Sequence, residues 1–124
     1  MEKVTGIGGV FFRAKDPSAL QGWYAEHLGV EPPPQTYEGT VWRQEAGPTV
    51  FAAFDESGEF FGSPEQRWSI NFRVRHLDAM VAQLRRAGID VEVVPEVYPN
   101  GRFAALADPE GNPIQLWEPS SARR

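Results

Sequence analysis

The spacing of apolar residues along the chain predicts short strands that alternate with two helices. Residues 6–15 alternate in the manner of a strand, with one set of side chains on each face: Val10, Phe12 and Ala14 against Gly9, Phe11 and Arg13. Residues 36–45, 49–54, 69–75 and 90–94 give similar short strand patterns, bounded by turn-forming residues. This combination of elements is typical of an α+β fold.

Two helices are indicated by apolar side chains that recur every three or four residues. Asp16 and Pro17 favour a helix start, because aspartate can accept free backbone N–H groups and proline suits the first helical position. A second helix is predicted over residues 77–87, and glycines end both helices, at Gly29 and Gly88. The predicted buried stripes are Leu20, Trp23, Tyr24 and Leu28 in the first helix and Leu77, Met80, Val81 and Leu84 in the second.

Two hairpins are predicted in the last quarter of the chain. Asn100-Gly101 is a strong signal for a two-residue turn within residues 97–106. Residues 108–113 (Asp-Pro-Glu-Gly-Asn-Pro) are dense in turn formers, and a short strand follows them. Alternation along that strand places its side chains on two faces, Gln115 and Trp117 on one and Ile114 and Leu116 on the other.

An internal repeat relates the two halves of the chain at a spacing of 60 residues. Each half follows the order β-α-β-β-β, with modules at about residues 6–55 and 68–119 joined by a loop at 56–67. Each helix can cover one strand face of its module, and the opposite faces could curl around a shared cavity. The matched pairs are Val10 with Ile70, Phe12 with Phe72, Arg13 with Arg73, Ala14 with Val74, Ala19 with Ala79 and Leu20 with Met80.

Composition narrows the functional classes. A chain of 124 residues is one domain by size, and its net charge of -5 argues against nucleic acid as a partner. The absence of cysteine excludes disulfides, thiolate metal sites and cysteine nucleophiles. The start of the chain has no long apolar run, and no stretch approaches a membrane span, so we expect a soluble, cytoplasmic protein. The Phe60-Phe61 pair in the connecting loop is expected to pack against other residues.

The repeat and two motifs resemble the vicinal oxygen chelate superfamily of glyoxalase I, bleomycin-resistance proteins and extradiol dioxygenases. The motifs are the strand-to-helix sequence Phe-Arg-Val-Arg-His-Leu-Asp-Ala-Met at residues 72–80 and the closing sequence Asp-Pro-Glu-Gly-Asn-Pro-Ile-Gln-Leu-Trp-Glu at residues 108–118. The resemblance extends from about Gly8 to Pro119. It implies a single glyoxalase-like domain, residues 1–124, in which two βαβββ modules form a cupped, mixed, eight-stranded sheet, and it implies a homodimer.

The resemblance also implies where a metal would be bound. Metal-dependent members place ligands at four positions facing the cup, which fall here on Gly9, Phe51 or Ala52, Ser69 and Gln115. Glycine, phenylalanine and alanine offer no side-chain donor, serine is a poor neutral ligand, and glutamine offers one uncharged amide oxygen. We therefore predict no metal and no cofactor.

The two histidines do not replace the missing ligands. His27 lies in the last turn of the first helix, where a solvated side chain near the helix dipole is expected. His76 stands before the second helix, where a polar cap is expected. Neither falls at a position where the superfamily places a ligand.

A ligand pocket can still be drawn from residues on or beside the predicted strands. Aromatic walls with a few convergent polar groups are typical of small-molecule sites. Arg13 and Arg73 would favour a carboxylate or another anion. Three glutamates near turns and strand ends, Glu96, Glu110 and Glu118, are expected to be solvated. The candidates are Phe11, Arg13, Trp42, Trp68, Ser69, Asn71, Arg73, Tyr98, Phe103, Gln115 and Trp117.

Three hypotheses follow from the sequence. The first is a metal-free member of the superfamily that binds a small aromatic or anionic organic molecule in its cup. The second is a metal-dependent lyase, isomerase or dioxygenase with non-standard ligands such as Gln115 with His27 or His76. The third is a dimeric structural or interaction protein whose cup is filled by its own side chains. If the protein is an enzyme, a lyase-like or isomerase-like reaction is expected.

Overall fold

The computed structural model of the protein describes residues 1–58, 61 and 63–121. Two helices and four strands are formed in this part of the chain. In chain order they are α1 (Pro17–Leu28), β1 (Ile70–Arg73), α2 (Leu77–Arg86), β2 (Glu92–Val93), β3 (Gly101–Ala107) and β4 (Pro113–Pro119). The molecule is therefore α+β, with a mixed sheet, as the sequence predicts.

The four strands form one sheet in the order β1-β4-β3-β2. β4 is central, since it pairs in parallel with β1 and antiparallel with β3. β2 pairs antiparallel with β3 at the far edge. This is the strand order of one β-α-β-β-β unit in which the first strand returns beside the last. β4 therefore lies between the edge strand β1 and the antiparallel pair β3 and β2.

Both helices pack on the same face of this sheet. Leu77, Leu84 and Leu116 are almost completely buried, and full burial of such a side chain contributes roughly 1.5–3 kcal/mol. The alternation predicted for β4 is confirmed, because Ile114 and Leu116 point into this core. The buried apolar cluster consists of Leu20, Tyr24, Leu77, Val81, Leu84, Val91, Ala104, Leu106, Ile114 and Leu116.

Helix α1 begins and ends as its sequence predicts, and the closing turn holds its first residues. An Asp16 Oδ1 atom accepts the Ala19 N–H at 3.1 Å, and Gly29 ends the helix with φ at 73°. The Glu110 carboxylate accepts the backbone N–H groups of Lys15, at 2.7 Å, and of Asp16, at 3.0 Å. The expectation of a solvated Glu110 is therefore wrong, because two otherwise free N–H groups before a helix attract a carboxylate.

Helix α2 starts differently from the prediction. The His76 side chain makes no capping hydrogen bond. Instead, Glu118 Oε1 on β4 accepts the Leu77 N–H at 2.8 Å. The predictions of a His76 cap and of a solvated Glu118 are both wrong, since β4 brings a carboxylate to the positive end of the helix. Glu96 is exposed, as expected.

The turn before β3 lies one residue earlier than predicted. Tyr98 and Gly101 exchange both backbone hydrogen bonds at 3.0 Å, so the two turn residues are Pro99 and Asn100. Gly101 is the first residue of β3, with φ at 134°. A Cβ atom there would lie 2.1 Å from the Glu118 carbonyl oxygen. Glycine is thus used for close contact with β4, and not for the turn itself.

The first half of the chain departs most from the predicted eight-stranded arrangement. Residues 1–58, 61 and 63–69 contain α1 but no strand, so the strands predicted at 6–15, 36–45 and 49–54 are not formed. Alternation shows which residues could share a face, but a strand exists only when a neighbour accepts its hydrogen bonds. The apolar residues of these segments remain exposed, among them Val10, Phe11, Val41, Val50 and Phe51.

The loop prediction is only partly covered by the described residues. Phe60 lies outside them. Phe61 is half-buried, and its ring centroid lies 5.8 Å from that of Phe54. Among the residues described, no helix is long and apolar enough to cross a membrane.

Candidate functional site

In the described part of the chain, one face of the sheet carries no helix, and the cross-strand register defines it. We call it the open face. One row runs Asn71, Gln115, Ala105 and Glu92 across the four strands, and a second row runs Arg73, Trp117 and Phe103. Residues directly opposite each other in a sheet point to the same side and contact their neighbours. The open face thus combines a polar row with a row made of one cation and two aromatic rings.

An amide pair stands in the polar row. Asn71 Nδ2 donates to Gln115 Oε1 at 2.7 Å. Asn71 is exposed and Gln115 is half-buried, so the pair is at the surface of the open face. Within the described residues, Asn71 Oδ1 and Gln115 Nε2 make no hydrogen bond, which leaves one acceptor and one donor side by side. Such a pair can recognise a carbonyl or hydroxyl group.

Aromatic rings form the neighbouring row. The Phe103 and Trp117 rings are nearly parallel, at 4°, with centroids 6.3 Å apart. Tyr98 meets the edge of Phe103 at 6.0 Å, and it is 45% exposed. Trp117 is buried, and its Nε1–H donates to the Asn100 carbonyl at 2.8 Å. The indole is therefore fixed, while Tyr98 and Phe103 offer partly accessible apolar surface.

Arg73 completes this row, and two of its five N–H groups are engaged. Its Nη1 donates to the Pro48 carbonyl and its Nη2 to the Glu45 carbonyl, both at 2.7 Å. Arg75 forms an ion pair with the Glu45 carboxylate. The guanidinium thus holds a segment of the first half of the chain against the edge strand β1.

Six of the eleven candidate residues are brought together on or beside the open face, namely Asn71, Arg73, Tyr98, Phe103, Gln115 and Trp117. The other five lie in the segments without strands. Phe11 is 95% exposed with its ring over Gly9, and Arg13 is exposed. Trp42 and Trp68 are exposed, and Ser69 is half-buried directly before β1.

Three residues of the site were missed in the sequence. Ala105 and Glu92 lie on the open face in register with Gln115, and Asn100 holds the Trp117 indole. Parity with Phe103 along β3 could have identified Ala105. The position of Glu92 depends on the pairing of β2 with β3, and the Asn100 contact uses a carbonyl that every residue has. Neither leaves a signal in the sequence.

The donor set does not fit a metal ion. Of the four inherited positions, Gly9 and Phe51 or Ala52 carry no donor, and the Gln115 amide oxygen already accepts from Asn71. Across residues 1–58, 61 and 63–121, no three histidine, aspartate or glutamate side chains are grouped so that they could hold a metal ion. A divalent cation requires several N or O donors, usually with an imidazole or a carboxylate among them.

The two histidines lie at helix ends, in different environments. The His27 ring packs on Trp23 at 5.5 Å, and its Nε2 lies 3.3 Å from a Glu26 carboxylate oxygen. The imidazole is thus more enclosed than a solvated side chain. His76 is exposed before α2. Neither histidine lies on the open face.

The strongest electrostatic perturbation lies on the helix side of the sheet. The Tyr24 hydroxyl donates to Asp108 Oδ2 at 2.7 Å, deep in the core. Burial, followed by the hydrogen bond and the charge of Asp108, raises the pKa of Tyr24 well above its usual range. Asp108 also accepts from Glu110 N, Asn112 N and Asn112 Nδ2 at 2.7–3.0 Å. This network fixes the turn before β4. It lies on the helix side of the sheet, away from the open face.

Two open clefts lie beyond the polar row, around the connection between α2 and β2. They measure about 580 and 290 Å³ and share Ile89, Asp90 and Ala107. Glu92 and Ala105 of the open face line the larger one. Neither cleft includes the amide pair or the aromatic row.

Comparison with known proteins gives three informative similarities. The anthracycline biosynthesis protein DnrV of Streptomyces peucetius is 32% identical over 116 residues, which cover 88% of this chain and 41% of that protein. The chain thus spans less than half the length of this curated relative. Among solved structures, TnmS3, an antibiotic binding protein from Streptomyces sp. CB03234, aligns with a TM-score of 0.61 at 19% identity, covering 97% of this chain and 100% of that one.

A third similarity is to a glyoxylase/bleomycin resistance protein/dioxygenase domain from Frankia sp. EAN1pec. It aligns with a TM-score of 0.54 at 20% identity, covering 95% of this chain and 100% of that one. Both structural similarities concern the fold. The sequence profile of the glyoxalase-like domain family matches residues 9–117, which is most of the chain. The chain therefore belongs to the glyoxalase-like family within the vicinal oxygen chelate superfamily.

Proposed function

We propose that this glyoxalase-like protein binds a small aromatic organic molecule against its open face without using a metal ion. The observation that carries the proposal is the Asn71–Gln115 amide pair, 2.7 Å apart, next to the Phe103–Trp117 stack. In small-molecule sites, aromatic surface supplies apolar contact area and a few fixed polar groups orient the ligand. The sequence also predicts anionic ligands, and that prediction depends on recognition of the anion by Arg13 and Arg73.

The relatives support the same class of ligand. DnrV is named for anthracycline biosynthesis and TnmS3 for antibiotic binding. Anthracyclines are planar, fused-ring molecules with carbonyl and hydroxyl groups at their edges. Such edges match the acceptor and donor that Asn71 and Gln115 leave unused, and their rings match the apolar surface of Tyr98 and Phe103.

The metal-free part of the proposal depends on ligand chemistry. Gln115 occupies the closing-strand position at which metal-dependent members of the superfamily typically carry glutamate. A carboxylate there would supply the negative charge that a divalent cation requires, whereas an amide oxygen already bonded to Asn71 does not. The residues present are suited to hydrogen bonding with an organic ligand.

We also propose that the complete cup requires a second copy of the chain. The extended segments of the first half carry exposed apolar side chains, including Phe11 at 95% and Phe51 at 85% exposure. Segments of this kind become strands when a neighbour supplies the missing hydrogen bonds. In a homodimer they would build the two-module, eight-stranded sheet predicted from the sequence and give the open face an opposite wall.

The binding test uses doxorubicin, an anthracycline with its own fluorescence, titrated with the protein. We expect saturable quenching, with affinity reduced about tenfold in Gln115→Ala or Phe103→Ala, because each removes a hydrogen bond or a stacking surface worth about 1 kcal/mol or more. Gln21→Ala on the exposed surface of α1 is the matched control and should bind as the wild type does.

A metal arm completes the test. Elemental analysis of the purified protein should find no stoichiometric nickel, zinc, iron or manganese, and none of these ions should raise the melting temperature. One equivalent of bound metal, lost in Gln115→Ala, would contradict the metal-free proposal. Equal doxorubicin affinity in all variants would contradict the proposed position of the ligand.

A further inference from the structure

We propose that Arg73 anchors a strap, residues 45–48, across the edge of the open face, and that this makes the site selective for uncharged ligands over carboxylates. The second half of this statement rests on the proposed function, because it concerns the same site. The first half concerns the chain alone. Arginine on a binding face is usually expected to attract anions, but here its contacts assign it a different role.

The hydrogen bonds identify Arg73 as the anchor. Its two Nη atoms reach the carbonyls of Glu45 and Pro48, each at 2.7 Å, so one planar group holds both ends of the strap. A guanidinium presents its N–H groups in a fixed fork, and donation from a charged group is about twice as strong as between neutral groups. Lysine at this position could not make both bonds with the same geometry.

Gly47 lies directly against this side chain. A Cβ atom at Gly47 would lie 2.6 Å from Arg73 Nη1 and 2.9 Å from Cζ. A Cβ atom that close would require the end of the Arg73 side chain to shift from its present position over the strap. Glycine at this position allows the guanidinium to approach the strap backbone closely, and its backbone angle is not in the left-handed region.

The charges around the strap disfavour an anionic ligand. Arg73 is half-buried, and two of its five N–H groups already donate to the strap carbonyls, so fewer donors remain for a ligand carboxylate. The Glu45 carboxylate is neutralised by its ion pair with Arg75, whereas Glu92 places a negative charge at the other end of the polar row. The amide pair between them can recognise a ligand carbonyl without any charge.

Limited trypsin digestion tests the anchor without a ligand. Arg43 is exposed two residues before the strap, and a protease must unfold several residues on either side of the bond that it cuts. Loss of two charge-assisted hydrogen bonds should raise the rate of cleavage after Arg43 about tenfold in Arg73→Met. Gly47→Ala should raise it by a smaller factor, because the added Cβ shifts the guanidinium without removing its charge or its donors.

Two variants serve as matched controls. Arg86→Met removes an exposed arginine from the last turn of α2, and Gly8→Ala adds a Cβ where no atom lies within 4 Å. Both should be cleaved after Arg43 at the wild-type rate. Equal cleavage rates in Arg73→Met, Gly47→Ala and the wild type would overturn the anchor.

The selectivity is tested by calorimetric titration with 2-naphthamide and 2-naphthoate, which have the same shape and differ in charge. The wild type should bind the amide at least about tenfold more tightly, a difference of 1.4 kcal/mol. Tighter binding of naphthoate, lost in Arg73→Met, would overturn the proposal and restore Arg73 as an anion receptor. If neither probe nor doxorubicin binds, the proposed function fails, and digestion alone then decides the anchor.

Discussion

At the scale of single residues, the buried carboxylate of Asp108 explains why the closing turn has its sequence. It is 4% exposed and accepts hydrogen bonds from Tyr24, from two backbone N–H groups of the turn and from the Asn112 amide. A buried carboxylate is tolerated only when its oxygens are satisfied in this way. The Asp-x-x-x-Asn spacing is therefore a local hydrogen-bonding device, which Tyr24 joins from helix α1.

We expect Tyr24→Phe to lower the free energy of unfolding by about 2 kcal/mol at neutral pH, since it removes a hydrogen bond to a buried charged group. The effect should depend on pH. Folding holds Tyr24 protonated by raising its pKa above the ordinary value of 10.0. Above pH 10 the unfolded state therefore binds fewer protons than the native state, and stability falls as pH rises. Urea unfolding of both proteins between about pH 9 and pH 11 measures this.

The sign of the pH effect distinguishes this contact from simple packing. Below pH 10, the wild type should have a higher free energy of unfolding than Tyr24→Phe by a constant amount. Above pH 10, the free energy of unfolding of the wild type should fall more steeply than that of Tyr24→Phe, by up to about 1.4 kcal/mol per pH unit. Tyr37→Phe, at a fully exposed tyrosine, is the control and should leave the curve unchanged. Parallel curves for wild type and Tyr24→Phe would show that Tyr24 is not held protonated.

At the scale of elements, the two helices are fixed in different ways. Helix α1 carries its own N-cap, Asp16, and receives additional acceptors from Glu110. Helix α2 lacks a side-chain cap of its own and depends on Glu118, 41 residues away in the sequence. Glu118 thus couples the start of α2 to the central strand of the sheet.

We expect Glu118→Ala to lower the free energy of unfolding by about 1 kcal/mol, the usual cost of losing an N-terminal helix cap. His76→Ala should change it by less than about 0.5 kcal/mol, because the His76 side chain makes no capping bond. Glu96→Ala, at an exposed glutamate, is the matched control. Urea unfolding followed by circular dichroism gives all three values. A larger loss in His76→Ala than in Glu118→Ala would reverse the assignment.

At the scale of the whole molecule, the two halves of the chain differ in how far they pair their strands and bury their apolar residues. The second module forms a complete four-stranded sheet with a buried core. The first module contributes α1 to that core, while its apolar extended segments pair with no strand within residues 1–58, 61 and 63–121. Exposed apolar stretches next to unpaired backbone favour association with another chain.

We therefore propose a homodimer at micromolar concentration, measured as the mass in solution by light scattering. Phe51→Asp should shift the population towards the 13.8 kDa monomer, because it places a charge in the middle of an apolar segment. Val97→Asp, at an exposed apolar residue of the second module, should leave the mass unchanged. A monomeric wild type would contradict the proposed dimer and the eight-stranded cup together.

The parts of the site that could be predicted from the sequence are those that depend on local strand patterns, and the parts that could not are long-range contacts. Alternation along one strand places Gln115 and Trp117 together, and the repeat adds Asn71 and Arg73 from the neighbouring strand. These inferences succeed because side-chain direction in a strand has a fixed period. The engagement of Arg73 with residues 45–48 could not be predicted, since backbone carbonyls accept from any donor that the fold brings near.

What the sequence determined by itself is the position of helix α1, the closing turn and the family. Asp16, Pro17 and Gly29 define α1, the turn at residues 108–113 defines the hairpin, and the absent donors at the inherited positions argue against a metal. Each depends on residues close together in the chain or on residue type alone. Only the tertiary structure decided which partners meet across long distances: Glu118 with α2, Tyr24 with Asp108, and Arg73 with its strap. Those contacts depend on strand order and register, which a local pattern does not encode.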